Sequence, residues 1–206
     1  MEEVRQLFRR FAIGSKIFKS KEVLQMSYIP EKIVHRENEI KEVVALLAPA
    51  LRGEVPPNIV IYGPPGTGKT AVIKLIGSAL IQEAKELGAC VDFVYVNCGV
   101  NGEANTPYKL FAKLSTWFGK PVPHTGLSTS TVIESFISAI DSEPRIVVLV
   151  LDEFDKLSKK NEVLYVLSRI NSELKNSKIS IICISNKYRL LQDIDSRTRS
   201  SLAPVE

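Results

Sequence analysis

Apolar residues recur along this 206-residue chain at two spacings, helical and extended, and the two alternate. Val4, Leu7, Phe8 and Phe11 stand at i, i+3, i+4 and i+7 with Arg5, Arg9 and Arg10 between them, which predicts a short basic amphipathic helix. A loose arm runs from Lys16 to Pro30. Ile40, Val43, Val44, Leu47 and Leu51 predict a helix from about Glu37, bent or ended near Pro49, with Pro56-Pro57 closing the linker after it. Strands and helices then take turns. Strands are predicted at Asn58 to Tyr62, Val91 to Val96, Ile146 to Leu151 and Ile179 to Ser185. Helices are predicted at Thr70 to Leu87 (stopped by Gly88), Pro107 to Phe118 (carrying Leu110, Phe111, Leu114 and Trp117) and Asn161 to Leu174. A further helix follows the breaker-rich stretch Gly119 to Ser130, with Thr131 and Glu134 fitting a capping box. Strands separated by helical stretches imply an α/β fold, a parallel sheet with helices on both faces.

Composition narrows the class. With 45% hydrophobic and 24% charged residues the chain is ordinary for a globular domain, not for a disordered tail or a disulfide scaffold. The net charge of +4 is mild, but residues 1 to 21 hold six basic and two acidic residues, so that stretch carries all of it. No apolar run approaches the roughly 18 residues of a membrane span, and Met1 is followed by charges rather than by a signal-peptide core. A cytoplasmic protein with no membrane partner is expected. Cys90, Cys98 and Cys183 form no CxxC pair and read as buried thiols in a reducing compartment.

The chemistry is concentrated in one stretch. Gly63-Pro64-Pro65-Gly66-Thr67-Gly68-Lys69-Thr70 matches GxxxxGK[ST] between a predicted strand and a predicted helix. Glycines let the loop curl so that backbone N–H groups face phosphate oxygens, and the helix N-terminus beginning at Thr70-Ala71 adds its partial positive charge. Lys69 supplies a point charge for the β- and γ-phosphates, and the Thr70 hydroxyl is a Mg²⁺ ligand. The strand Val147 to Leu151 ends in Asp152, which would face the metal through water, and Glu153, the candidate general base for an attacking water. Two solvated acids at a strand end are the alternative. Asn186 ends the fourth strand, on the ligand edge of a parallel sheet, where an amide would orient that water; a turn asparagine is the alternative. A GTPase would carry Asn-Lys-x-Asp, whereas Asn186-Lys187-Tyr188-Arg189 has Arg in the last place, so ATP is expected. Arg197 and Arg199 come too late to serve their own nucleotide loop and read either as an arginine finger toward a neighbouring subunit or as a solvated pair.

These residues carry a resemblance. The chain resembles the AAA+ (P-loop, RecA-like) portion of the archaeal initiator family related to origin-recognition and Cdc-type replication proteins. The resemblance rests on Tyr28-Ile-Pro-Glu-Lys-Ile-Val-His-Arg-Glu37, Tyr95-Val-Asn-Cys98, Thr106-Pro-Tyr108, Pro123-His-Thr-Gly-Leu-Ser128, Leu151-Asp-Glu-Phe-Asp155, Ile184-Ser-Asn186 and Arg199-Ser-Ser-Leu202. Together these span roughly residues 15 to 203. It implies that Tyr28, Ile29, Val34, His35 and Arg36 wrap the adenine, that Asn186 is sensor 1, and that Arg197 fits the finger position better than Arg199. It also implies that residues around 107 to 140 form an initiator-type helical insert between the second and third strands. That insert would lean on DNA through Lys109, Lys113, Lys120 and His124, or those residues form a solvated helix face.

The organisation implied is a basic helix and arm over 1–27 and a nucleotide-binding base over 28–206. Family members continue with a fifth strand, a helical lid and a winged helix, so the chain reads as a truncated product or fragment whose first strand is an unpaired edge. The expected function is an ATP-controlled switch, using ATP/ADP and Mg²⁺, for binding double-stranded origin DNA and recruiting a replicative helicase. It would work beside other initiator subunits and turn over slowly. The alternatives are an inactive nucleotide- or partner-binding fragment and a non-initiator AAA+ ATPase such as a clamp loader. The basic N-terminal helix is expected to pack or meet a partner, and DNA binding by this chain alone to be weak and directed at the backbone.

Overall fold

The computed structural model describes residues 4–6, 8, 33, 35–99, 104–123 and 125–188, and the chain divides into two units, residues 1–32 and 33–206. In the first unit Val4 to Gln6 and Phe8 are helical, as the arginine-spaced pattern predicts.

The second unit is an α/β sheet protein. Its elements are α1 (Glu37–Leu47), a 3-10 turn (Ala48–Arg52), β1 (Ile59–Tyr62), α2 (Lys69–Leu87), β2 (Val91–Asn97), α3 (Pro107–Trp117), α4 (Thr129–Ile140), β3 (Ile146–Asp152), a 3-10 turn (Phe154–Lys156), α5 (Lys160–Glu173) and β4 (Lys178–Ser185). The strands run parallel in the order β1-β4-β3-β2. Among the described residues β1 pairs only with β4.

Both faces of the sheet are covered: β3 is apolar at every position from Ile146 to Leu151, and a strand turns alternate side chains to opposite faces. Val147, Leu149 and Leu151 join Leu110, Phe111 and Leu114 of α3, Phe136 of α4 and Leu164 and Leu167 of α5. Val148 and Val150 join Val43 and Leu47 of α1 and Ile73, Ile76 and Leu80 of α2. On that second face Gly77 lets α2 lie directly on the ring of Phe93: a Cβ there would come within 2.3 Å of the ring.

The two insert helices meet through Phe111 and Phe136, ring centroids 5.6 Å apart. Here the structure corrects one expectation. The capping box is not at Thr131 and Glu134. The helix starts at Thr129, because Ser128 Oγ accepts the Thr131 N–H at 3.1 Å and caps it a turn earlier. α3 ends at Trp117, which is 59% exposed, and Phe118 packs against Phe136. Likewise Cys98 and Cys183 are buried, but Cys90, in the turn between α2 and β2, is exposed. Burial pushes the Cys98 thiol up to about 12 and the Cys183 thiol up as well, so both stay protonated.

Candidate nucleotide-binding site

The phosphate loop and the candidate site residues Asp152, Glu153 and Asn186 gather at the C-terminal ends of β1, β3 and β4. This follows from strand order: the chain leaves β1, crosses to β2 at the far edge, and returns through β3 and β4, so β4 comes to lie beside β1. The loop after β1 then faces the segments that follow β3 and β4.

That loop has the backbone its sequence predicts. Gly66 (φ 79°) and Gly68 (φ 85°) are left-handed, and Gly68 is the N-cap of α2. Neither position is sterically crowded, so the glycines are required by conformation and not by space. Successive N–H groups in such a curl, continuing into the unpaired amides of a helix start, form an anion cradle. Lys69 Nζ donates to the carbonyls of Gly63 and Pro64 at 2.8 Å each, and Thr67 Oγ1 donates to Pro64 O at 2.9 Å. Burial lowers the Lys69 pKa against the opposing pull of Asp152 and Asp155. Gly63 and Ala71 are half-buried, and Pro64, Pro65 and Gly66 are exposed along the loop's outer side.

Thr70 and Asp152 meet as the pattern predicts. Thr70 Oγ1 donates to Asp152 Oδ2 at 2.6 Å, across 82 residues of sequence. Asp152 is only 3% exposed, and its other oxygen accepts the Glu153 N–H at 2.7 Å. Among the described residues no cluster of three or more His, Cys, Asp or Glu side chains forms a metal cage. One hydroxyl and one carboxylate beside a phosphate cradle is the donor set that suits Mg²⁺, which keeps most of its water and takes substrate phosphates as ligands.

Glu153 follows in the left-handed region (φ 50°), a conformation that costs a non-glycine residue about 1–3 kcal/mol and collects at functional sites. Its carboxylate lies against Gly99, where a Cβ would meet Oε2 at 2.0 Å. Asn186 is exposed, and its backbone N–H donates to Asp155 Oδ1 at 3.1 Å; Ser185 Oγ donates to the same oxygen at 3.3 Å. The end of β4 is thus tied to the segment that carries Glu153.

Three residues at the candidate site, Tyr95, Gly99 and Asp155, are given no role by the sequence. Tyr95, on β2, donates its hydroxyl to Asp152 Oδ2 at 2.6 Å. Burial first, and then this hydrogen bond, push its pKa up, so the phenol remains a donor. Gly99 lies against the Glu153 carboxylate, and Asp155 accepts the Asn186 N–H. Alternation along β2 hinted at Tyr95, but nothing local reveals what its hydroxyl meets.

Beside the loop a cavity of about 440 Å³ is walled by β1, by Val43 and Leu46 of α1 and by Thr67 and Lys69, with Arg36 at its rim. Arg36 also pairs with Glu39. His35 has φ 61° at the start of α1 and does not line the cavity. Tyr28, Ile29, Val34, His124 and Arg197 lie outside the described residues. In the insert, Lys109 and Lys113 are one turn apart on the exposed side of α3, with Trp117 a turn further on. Lys120 Nζ donates to Ser138 Oγ of α4 at 3.1 Å.

A phosphate loop, an acidic strand end and a polar fourth-strand end on this sheet order define a P-loop nucleotide-binding domain of AAA+ architecture. The chain belongs to the AAA domain family, whose model matches residues 54–190. It is similar to the ORC1-type DNA replication protein 1 of Methanosarcina mazei, 43% identical over 201 residues that make up 97% of this chain and 48% of that protein. It is also similar to the ORC1-type DNA replication protein of Pyrococcus furiosus, 41% identical over 207 residues, 98% of this chain and 49% of that one. The chain spans about half the length of the curated relatives it matches. Its fold is similar to that of the Aeropyrum pernix ORC1 protein in complex with DNA, with a TM-score of 0.83 and 38% identity over 92% of this chain and 48% of that one. The Aeropyrum pernix ORC2 protein, solved as ADPNP–ADP complexes, shares the fold at a TM-score of 0.74 and 22% identity over 91% of this chain and 51% of that one. Among the described residues no helix is long and apolar enough to cross a membrane.

Proposed function

We propose that this chain is the nucleotide-binding base of an ORC1-type replication initiator, an ATP-controlled switch that governs engagement of double-stranded origin DNA and of a replicative helicase. The observation that supports the reading best is the 2.6 Å hydrogen bond from Thr70 Oγ1 to Asp152 Oδ2, which joins the phosphate loop to the acidic strand end in an arrangement suited to Mg–ATP. The curled loop and the start of α2 would hold the phosphates, with Lys69 turning from its carbonyl partners to the β- and γ-phosphates. Thr70 and Asp152 would hold Mg²⁺, which supplies charge neutralisation on the phosphates when bound. Glu153 would take the proton of the attacking water, and Asn186 would orient that water. Arg197 is the candidate finger toward a neighbouring subunit. The names and similarity of the ORC1-type relatives support the initiator role.

Lys109 and Lys113, together with the exposed Trp117, give the insert a basic face with an aromatic end, suited to backbone-directed contact with DNA. Lys120 adds a further positive charge nearby.

The test is ATP hydrolysis by the wild-type chain and by Glu153→Gln. The expected result is slow, magnesium-dependent turnover that falls by about 100-fold or more in the variant while nucleotide stays bound, since a positioned general base contributes at least that much. Nucleotide binding with no turnover in either protein would leave a binding module rather than an ATPase. Turnover that survives the substitution would remove Glu153 from its role.

A further inference from the structure

β2 and β3 run in register, with Tyr95 beside Val150 and Asn97 beside Asp152. This brings the Tyr95 hydroxyl to Asp152 Oδ2 at 2.6 Å, the same oxygen that Thr70 Oγ1 reaches at 2.6 Å. With the Glu153 N–H on Oδ1 at 2.7 Å, three donors fix one nearly buried carboxylate. Short O–H···O⁻ bonds of this kind are stronger than neutral ones and set the plane of the group that accepts them. The ring itself is held from α2: Lys74 Nζ stands 4.5 Å from its centroid, one helical turn beyond Thr70. A phenylalanine would fill the same place in the packing. The hydroxyl is what the packing does not explain.

We propose that Tyr95 is a positioning residue for the metal side of the nucleotide site, its hydroxyl orienting the Asp152 carboxylate toward the hydration shell of magnesium. The proposal rests on the reading of Thr70 and Asp152 as the magnesium-binding pair. Thr70 must offer oxygen lone pairs to the metal while its proton stays on Asp152. Tyr95, which lends nothing to the metal, keeps the carboxylate in place throughout. Residues that orient a metal's partners in this way are worth about 10- to 100-fold in metal affinity or activity.

The test is binding of a fluorescent ATP analogue to the wild-type chain and to Tyr95→Phe, first in EDTA and then across a magnesium titration. In EDTA the two should bind alike. The magnesium concentration giving half of the binding enhancement should rise about 10-fold in the variant. A wild type that responds to magnesium and a variant that responds identically would overturn the role of Tyr95 alone. A wild type with no magnesium response would overturn the metal site and the proposal with it. Unfolding of Tyr95→Phe, Asp152→Asn and the double variant provides a second reading. A role exercised through Asp152 gives non-additive effects, whereas a packing role gives additive ones and overturns the proposal.

Discussion

Glu153 places its carboxylate in the space that glycine leaves at position 99, with Oε2 lying 2.0 Å from where a Cβ would stand. The Glu153 backbone is held left-handed with its N–H on Asp152. Gly99→Ala is therefore expected to displace the candidate base without touching the phosphate loop. ATP hydrolysis should fall by about 100-fold, the scale of a misplacement of about 1 Å in a catalytic group, while nucleotide affinity stays unchanged. Hydrolysis at the wild-type rate would show that the carboxylate's place against Gly99 has no bearing on turnover.

Asp155 connects the two segments that carry the candidate residues Glu153 and Asn186. Its Oδ1 accepts both the Asn186 N–H and the Ser185 hydroxyl. Asp155→Ala should lower stability by about 1–3 kcal/mol through the donors left unpaired, and should also reduce hydrolysis by loosening Asn186. Asp155→Asn keeps an acceptor oxygen and should recover most of both losses. Denaturant unfolding and single-turnover hydrolysis of the pair check this, and equal losses in the two variants would contradict it.

Asp141 at the C-terminus of α4 accepts backbone N–H groups from Lys175, Asn176 and Ser177. Burial alone would raise its pKa, but the donations from Ser177, Lys175 and Asn176 outweigh it and hold the carboxyl below the ordinary range. A carboxyl whose folded pKa is depressed stabilises the fold above its unfolded pKa, and that stabilisation is lost as pH falls through the folded value. Asp141→Asn should therefore unfold more easily at neutral pH and show a flatter loss of stability below about pH 4, the ordinary aspartate pKa. Thermal unfolding from pH 7 down to pH 3 measures this; parallel curves for the two proteins would exclude the contribution.

Gly77→Ala would improve the intrinsic helix propensity of α2 by about 1 kcal/mol. It would also set a methyl within 2.3 Å of the Phe93 ring. Overpacking a core costs about 1–3 kcal/mol, so a net loss of stability is expected, relieved in the Gly77→Ala, Phe93→Leu double variant. A rise in melting temperature on the single substitution would refute the close approach.

Sequence alone determined the elements whose causes are local. The phosphate loop is eight consecutive residues, and its glycine φ angles follow from their own chemistry. The apolar run from Ile146 to Leu151 signalled a strand covered on both faces, and the acid that ends it could be matched to Thr70 because parallel strands end at one edge. Tertiary structure decided what depends on register between strands. Tyr95 meets Asp152 only because β2 and β3 pair as they do, Gly99 makes room for Glu153 across two strand ends, and Asp155 finds the end of β4 31 positions further along the chain. It also decided the local competitions that periodicity leaves open. Ser128 outcompeted Thr131 for the cap by reaching the Thr131 N–H, and Phe118 rather than Trp117 packs against Phe136 of α4.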